Sequence, residues 1–495
     1  MPIQSSNLRQ DVAQTATGFS TRRARLHSGV IALTLTVTSL LAVGACDRAS
    51  SASPAPSRDT ARAGAGDTTA RSATGAADSA AAAVEAQRPV RVPRPDSVRA
   101  LYVNAWAAGS RARMTDLIRV ADATEINAFI VDIKESDTFL TYSSTAIALA
   151  KEIGADTRPA SQWLPALVDT LRAHGIYPIA RIVVFKDRVL AEKKPELAIR
   201  NTSGAMWRDR KGLAWVNPYD KRVWDYNVAI AREALEMGFS EVQWDYVRFP
   251  DVTATARAVM SYPGSNGKSR ADNIREFLEY SKSQLSSFNA PITADVFGLT
   301  THLEGDVDIG QHWESVVTSA DAVLPMVYPS HYAPGLYGFA KPIANPYQVV
   351  RLALTDAMER TRFVHDSTGK PVGEVVGWLE AMSIRGAQFG AAEVRAQIQG
   401  AYDAGVKSWA LWNPGSKFAE FEDALRPASG GLSPVEQRGW TKPTWELPRQ
   451  RLSMVIRKRE LAAARAAATS GDSTPRQTPR RDSSRRDSSR PPSPK

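Results

Sequence analysis

From about residue 97 to residue 430 the chain repeats one unit: a short run of β-branched, apolar and aromatic residues, then a stretch whose apolar residues return every three or four positions. The strand-like runs lie at 99–106, 127–134, 177–185, 240–247, 291–297, 321–328, 374–379 and 407–412. Helical spacing follows in Met114 to Thr124, Trp163 to His174, Lys221 to Met237, Ile274 to Phe288, Pro346 to Arg362 and Ala391 to Ala404. A strand followed by a helix returns the chain parallel to its start, so this alternation predicts a parallel sheet covered by helices. Eight such strands over this length predict an α/β fold of the (β/α)₈ TIM-barrel type as a single catalytic domain. The other arrangement of βα units is a doubly wound open sheet, but no glycine-rich phosphate turn follows the first strand. Glycine after His174, Met237 and Ala404 marks helix ends, because it accepts the left-handed conformation that closes a helix.

The flanks are of a different kind. Arg22, Arg23 and Arg25 precede an uncharged apolar run from Val30 to Val43, as in a secretory signal. The run is short for a membrane span. Val43-Gly44-Ala45-Cys46 follows and resembles the lipobox of bacterial lipoproteins. That resemblance implies that residues 1–46 are a signal peptide, that Cys46 carries lipid and that the mature chain is held at a membrane. Cys46 is the one cysteine in the chain, so no disulfide is expected. Residues 47–96 are rich in Ala, Ser, Thr, Arg and Asp and predict a disordered tether, since they hold too little apolar surface to offset chain entropy. Residues 431–495 form a basic tail in which Arg-Arg-Asp-Ser-Ser occurs twice, at 480–484 and 485–489, with one short helical pattern from Leu452 to Ala468. From Arg451 onward 12 Lys/Arg face 4 Asp/Glu, which accounts for most of the formal net charge of +10. The basicity therefore belongs to the tail. For an exported chain it points to anionic envelope polymers rather than to nucleic acid.

Within the repeat, Gln243-Trp244-Asp245-Tyr246-Val247-Arg248-Phe249-Pro250 stands out. Alternation sets Asp245 opposite Trp244 and Tyr246, and Pro250 ends the strand. An acid at the C-terminal mouth of a barrel strand sits where such barrels keep their chemistry. The plainer possibility is an Asp245–Arg248 ion pair closing the strand. Around the same mouth the loops carry Trp207, Tyr328, His331, Tyr332, Trp412 and Asn413, an aromatic and polar set suited to sugar faces and hydroxyls. Trp224, Trp244 and Trp409 read as core residues.

Residues 238–250 resemble the fourth-strand signature of a bacterial glycosyl hydrolase (β/α)₈-barrel family. Supporting segments are Val131-Asp132-Ile133-Lys134-Glu135, residues 180–187, residues 325–332 and Leu411-Trp412-Asn413-Pro414. The resemblance spans about 97 to 430 and implies cleavage of glycosidic bonds by two carboxyl groups. One is protonated and donates to the leaving oxygen; the other attacks carbon or activates water. Spacings of ~5–5.5 Å give retention and ~6.5–9.5 Å inversion. The family pattern implies that Asp245 is the nucleophile. For the second carboxyl the order is Asp295, Glu135, then Glu380. Arg181 and Arg248 are placed to hold Asp245 ionised, which suits a nucleophile. Asp132 either binds substrate or forms an interior pair with Lys134. No cofactor is implied, and six histidines without ligand spacing do not describe a metal centre. The expected substrate is an envelope or extracellular polysaccharide. The competing readings are a non-catalytic carbohydrate-binding barrel and an envelope scaffold.

Overall fold

The structure, a computed structural model, describes residues 89–135, 139–384, 386–426 and 433–447. Cys46, its apolar run, most of the expected tether and residues 448–495 lie outside the described residues.

All eight expected strands form: β1 (Arg99–Val103), β2 (Ala128–Lys134), β3 (Tyr177–Val183), β4 (Glu241–Asp245), β5 (Ile292–Phe297), β6 (Ala322–Met326), β7 (Glu374–Val375 and Gly377–Glu380) and β8 (Trp409–Trp412). Neighbours pair in parallel, and Arg99 of β1 lies opposite Trp409 of β8. The remaining seam closes where β6 meets both parts of β7, with Ala322 opposite Glu374 and Met326 opposite Trp378. The sheet is a closed (β/α)₈ barrel, and closure removes the open edges of a flat sheet.

Among the described residues each gap between strands holds a main helix, in order α1 (Arg111–Asp122), α2 (Leu164–Ala173), α3 (Lys221–Glu236), α4 (Arg270–Leu285), α5 (Trp313–Val317), α6 (Pro346–Thr368) and α7 (Ala391–Asp403), with shorter helical turns beside several of them. Their apolar stripes pack on outward-facing strand residues. Trp244 of β4 meets Phe277 of α4 edge to face at 5.3 Å, and Trp224 of α3 meets the same ring at 5.6 Å. Trp224, Trp244 and Trp409 are fully buried core residues, as their spacing suggests.

Differences from the expected boundaries have local causes. The first strand stops at Val103 because Asn104 caps a short helix, Ala105–Gly109, its side chain accepting from Ala107 N at 2.8 Å. The sixth helix runs beyond Arg362 to Thr368 and ends at Gly369, whose φ of 64° is left-handed. The fifth, only five residues long, has too few turns for periodicity to reveal it.

Two polar layers fill the barrel interior. At the N-terminal end of the strands, Glu241 accepts from Tyr177 Oη at 3.1 Å, Thr293 Oγ1 at 3.2 Å and Arg94 Nε at 3.2 Å. These contacts close the bottom of the barrel. The second layer lies at the opposite end.

Candidate active site

Parallel register brings the upper layer together. Asp132 of β2 lies opposite Arg181 of β3, which lies opposite Gln243 of β4. Residues in register on neighbouring strands share a face, and residues two apart on one strand share it too. Asp245 therefore follows Gln243 on the inward face, and Asp295 follows Thr293 on β5.

The guanidinium of Arg181 is the hub. It donates through Nη1 to Asp132 and through Nη2 to Asp245, and its Nε stands 3.8 Å from Asp295 Oδ2. Asp245 also accepts from the backbone N–H of Tyr246 at 2.5 Å. Asp295 is 1% exposed. Its Oδ1 accepts from Trp378 Nε1 at 2.7 Å and Gln243 Nε2 at 2.8 Å. Burial and the adjacent charge of Asp245 push the Asp295 carboxyl well above the ordinary range, against the pull of Arg181, Trp378 and Gln243. The pair thus places a carboxyl whose protonated form burial favours beside one that Arg181 and the Tyr246 N–H hold directly.

Asp132 stands behind Arg181. It accepts from Tyr102 Oη as well as from Arg181 and does not pair with Lys134. A register shift between Asp132 and Lys134 brings Lys134 opposite Ile182. Its ammonium reaches Asp187 at 2.7 Å and sits 5.2 Å from the ring of Tyr226 on α3. Glu135 takes the place beside Asp132 and accepts from Ala105 N at 3.3 Å. Burial, then the charge of Asp132, raises its carboxyl to about 8.

The two carboxyls Asp245 and Asp295 form the floor of a cleft of about 270 Å³ at the C-terminal mouth of the barrel. Its walls carry Trp215, Tyr246, Phe297, Tyr328, Tyr332, Trp378 and Trp412, with Lys186, Arg248 and His331 among them. Tyr328 and Trp412 stack at 5.0 Å with their planes 15° apart. Tyr246 has φ of 49°, a left-handed conformation that a non-glycine residue adopts at a cost, and it joins the cleft wall instead of packing outward beside Trp244. Pleat alternation thus holds to Asp245 and fails one residue later.

The other expected residues sort clearly. Tyr328, His331 and Trp412 line the cleft together with Arg181 and Arg248. Arg248 does not close on Asp245: it donates to its neighbour Phe249 O at 3.1 Å and faces the rings of Phe297 at 4.5 Å and Tyr246 at 4.7 Å. Trp207 is packed behind the wall with Ile199, Trp215 and Met260, and Trp215 presents itself to the cleft in its stead. Asn413 ties loops, donating to Ala381 O at 2.7 Å and accepting from Gly415 N at 2.9 Å. Glu380 is fully buried beneath the His331 loop, accepting from Ser330 N at 3.0 Å, with His331 Nδ1 4.0 Å away. Glu135 and Glu380 are not among the cleft-lining residues, whereas Asp295 is. Sequence reasoning missed Gln243, Trp378, Lys186, Trp215 and Tyr246 as parts of the site. Gln243 was within reach of it, two residues before Asp245 on the same face.

A family model described as "Putative glycosyl hydrolase domain" matches residues 100–418, the span of the barrel. The chain belongs to that family. It is thereby placed among the glycoside hydrolases, with a carbohydrate as its class of substrate. Among solved structures, a hypothetical protein from Ruminiclostridium thermocellum is similar at 40% identity over 40% of this chain and 97% of its own, with a TM-score of 0.36. The glycoside hydrolase domain of PgaB (BpsB) from Bordetella bronchiseptica is similar at 12% identity over 68% of this chain and 100% of its own, TM-score 0.49. That of PelA from Pseudomonas aeruginosa is similar at 12% identity over 66% and 98%, TM-score 0.39. No curated protein matches the chain.

Proposed function

We propose that this glycoside hydrolase cleaves an envelope or extracellular polysaccharide with Asp245 and Asp295 as its two working carboxyls. The observation that carries this is their shared place on the cleft floor, one in the ion pair with Arg181 and the other buried with its pKa raised. A raised carboxyl favours its protonated form, and a proton is what the leaving glycosidic oxygen requires. Asp245 acts on the anomeric carbon, directly or through a water whose proton it takes. Arg181 positions both and stabilises the carboxylate left on Asp295 after donation. Tyr328 and Trp412 supply apolar faces for a sugar ring beside His331.

Asp245→Asn keeps the shape and hydrogen-bonding capacity of the side chain and removes its charge. On cleavage of envelope polysaccharide fractions, turnover should fall by at least about a thousandfold with the circular dichroism spectrum unchanged. Normal turnover by this variant rules out the assignment. The anomeric form of the first product, read by NMR, then tells attack on carbon from activation of water.

A further inference from the structure

Lys186 and Arg248 follow β3 and β4 at the cleft mouth, and each is only 8% exposed. Among the described residues no carboxylate forms an ion pair with either. Both lie against the same two rings: the Lys186 ammonium is 5.0 Å from the centre of Tyr246 and 5.9 Å from that of Trp215, and the Arg248 guanidinium is 4.7 Å and 5.3 Å from them. Sharing the Tyr246 ring keeps the two charges within about 10 Å of each other on one wall of the cleft. Buried cations are ordinarily paired, because aromatic faces offset only part of the cost of leaving water. The carboxylates nearby are engaged elsewhere. Asp245 and Asp295 are held by Arg181. Asp209 accepts from the N–H groups of Lys211 and Leu213 and from Trp215 Nε1. Asp251 is half-exposed at the rim.

We propose that Lys186 and Arg248, on the Trp215–Tyr246 wall, form a subsite for a sugar unit bearing an anionic substituent, a carboxylate or a sulfate ester. This names the substrate class for the cleft and rests on the glycosidase reading of it. The guanidinium fork matches a two-oxygen anion, and the ammonium supplies a second point charge. The rings between them face the apolar side of the sugar.

The test is calorimetric binding at low ionic strength to the full chain carrying Asp245→Asn, so that cleavage does not interfere. The probes are hexasaccharides of galacturonate, mannuronate and hyaluronan, each beside its carboxyl-reduced counterpart, together with a heparin hexasaccharide and inorganic phosphate. The expected result is at least tenfold tighter binding of one anionic probe than of its uncharged counterpart. That preference should be lost on adding Lys186→Gln or Arg248→Gln and kept with Lys186→Arg. Preference for a uronate assigns the carboxylate, and preference for heparin with no preference for any of the unsulfated uronates assigns the sulfate. No charge preference anywhere in the panel overturns the proposal. So does a preference that survives both Gln variants, or inorganic phosphate binding as tightly as the oligosaccharides. If the anionic probe binds with the expected preference but the unaltered chain cleaves no glycan, the glycosidase reading fails and the subsite stands. Cleavage of neutral glycans without charge preference gives the reverse.

Discussion

Glu135 and Lys134 exchange the positions that pleat alternation assigns them, and the consequence is measurable. The Glu135 carboxyl, ordinarily near 4.5, titrates at about 8 because it is buried beside Asp132. A carboxyl with a raised folded pKa binds a proton more tightly in the native state than in the unfolded chain. Its contribution to stability is therefore complete below about pH 4.5 and is lost as pH rises through 8. Glu135→Gln should remove this dependence. Urea denaturation of the two proteins at matched pH should show the variant gaining on the parent by roughly 4–5 kcal/mol between those limits, then running parallel above them. A constant difference across the range would mean that the carboxyl does not change its protonation there. The residues that sequence located well, Asp245 and Asp295, lie on regular strand where a period of two holds. The directions of Lys134 and Tyr246 escaped it because a register shift and a left-handed residue each break that period.

At the level of elements, the loops after β5 and β6 fit together at Gly298. A methyl group there would lie 2.6 Å from Tyr332 Oη and closer still to the carbonyl of Met326. Both partners line the cleft, so the small residue lets two walls of the site approach. Gly298→Ala should cost about 1–3 kcal/mol, read as a lowered Tm. It should also raise KM more than it lowers kcat, since Tyr332 moves while Asp245 and Asp295 stay. An unchanged KM would show that the approach of the two loops is not needed for binding. Strand order and helix placement were legible because each βα unit carries its own periodicity. Loop residues have no such guide: Trp207 and Trp215 look alike in sequence, and only the packing of the loop after β3 decides which one meets the cleft.

Across the whole molecule, the barrel holds the chemistry and the flanks are expected to govern location. Deleting residues 451–495 should leave kcat/KM on a short soluble oligosaccharide within about twofold, since every described residue that lines the cleft lies within the barrel span. If the lipobox reading is right, Cys46→Ala should shift the protein from the membrane to the soluble fraction at the same specific activity, followed by fractionation and by mass measurement of the mature N-terminus. Tail removal that by itself reproduces the loss-of-function phenotype would favour a scaffold role instead. No helix among the described residues is long and apolar enough to cross a membrane. Closure of the barrel, by contrast, was an inference from counting eight units, and the Met326–Trp378 pairing supplies the seam that counting leaves open.

The register shift in β2 has one further consequence. By keeping Lys134 out and admitting Glu135, it surrounds the single guanidinium of Arg181 with four carboxyl groups: Asp132, Glu135, Asp245 and Asp295. One cation cannot balance four anions in a buried volume, and burial accordingly favours the protonated form at Glu135 and Asp295. The resting barrel is in that sense biased toward holding protons on its interior carboxyls, a bias set by folding itself before any substrate arrives.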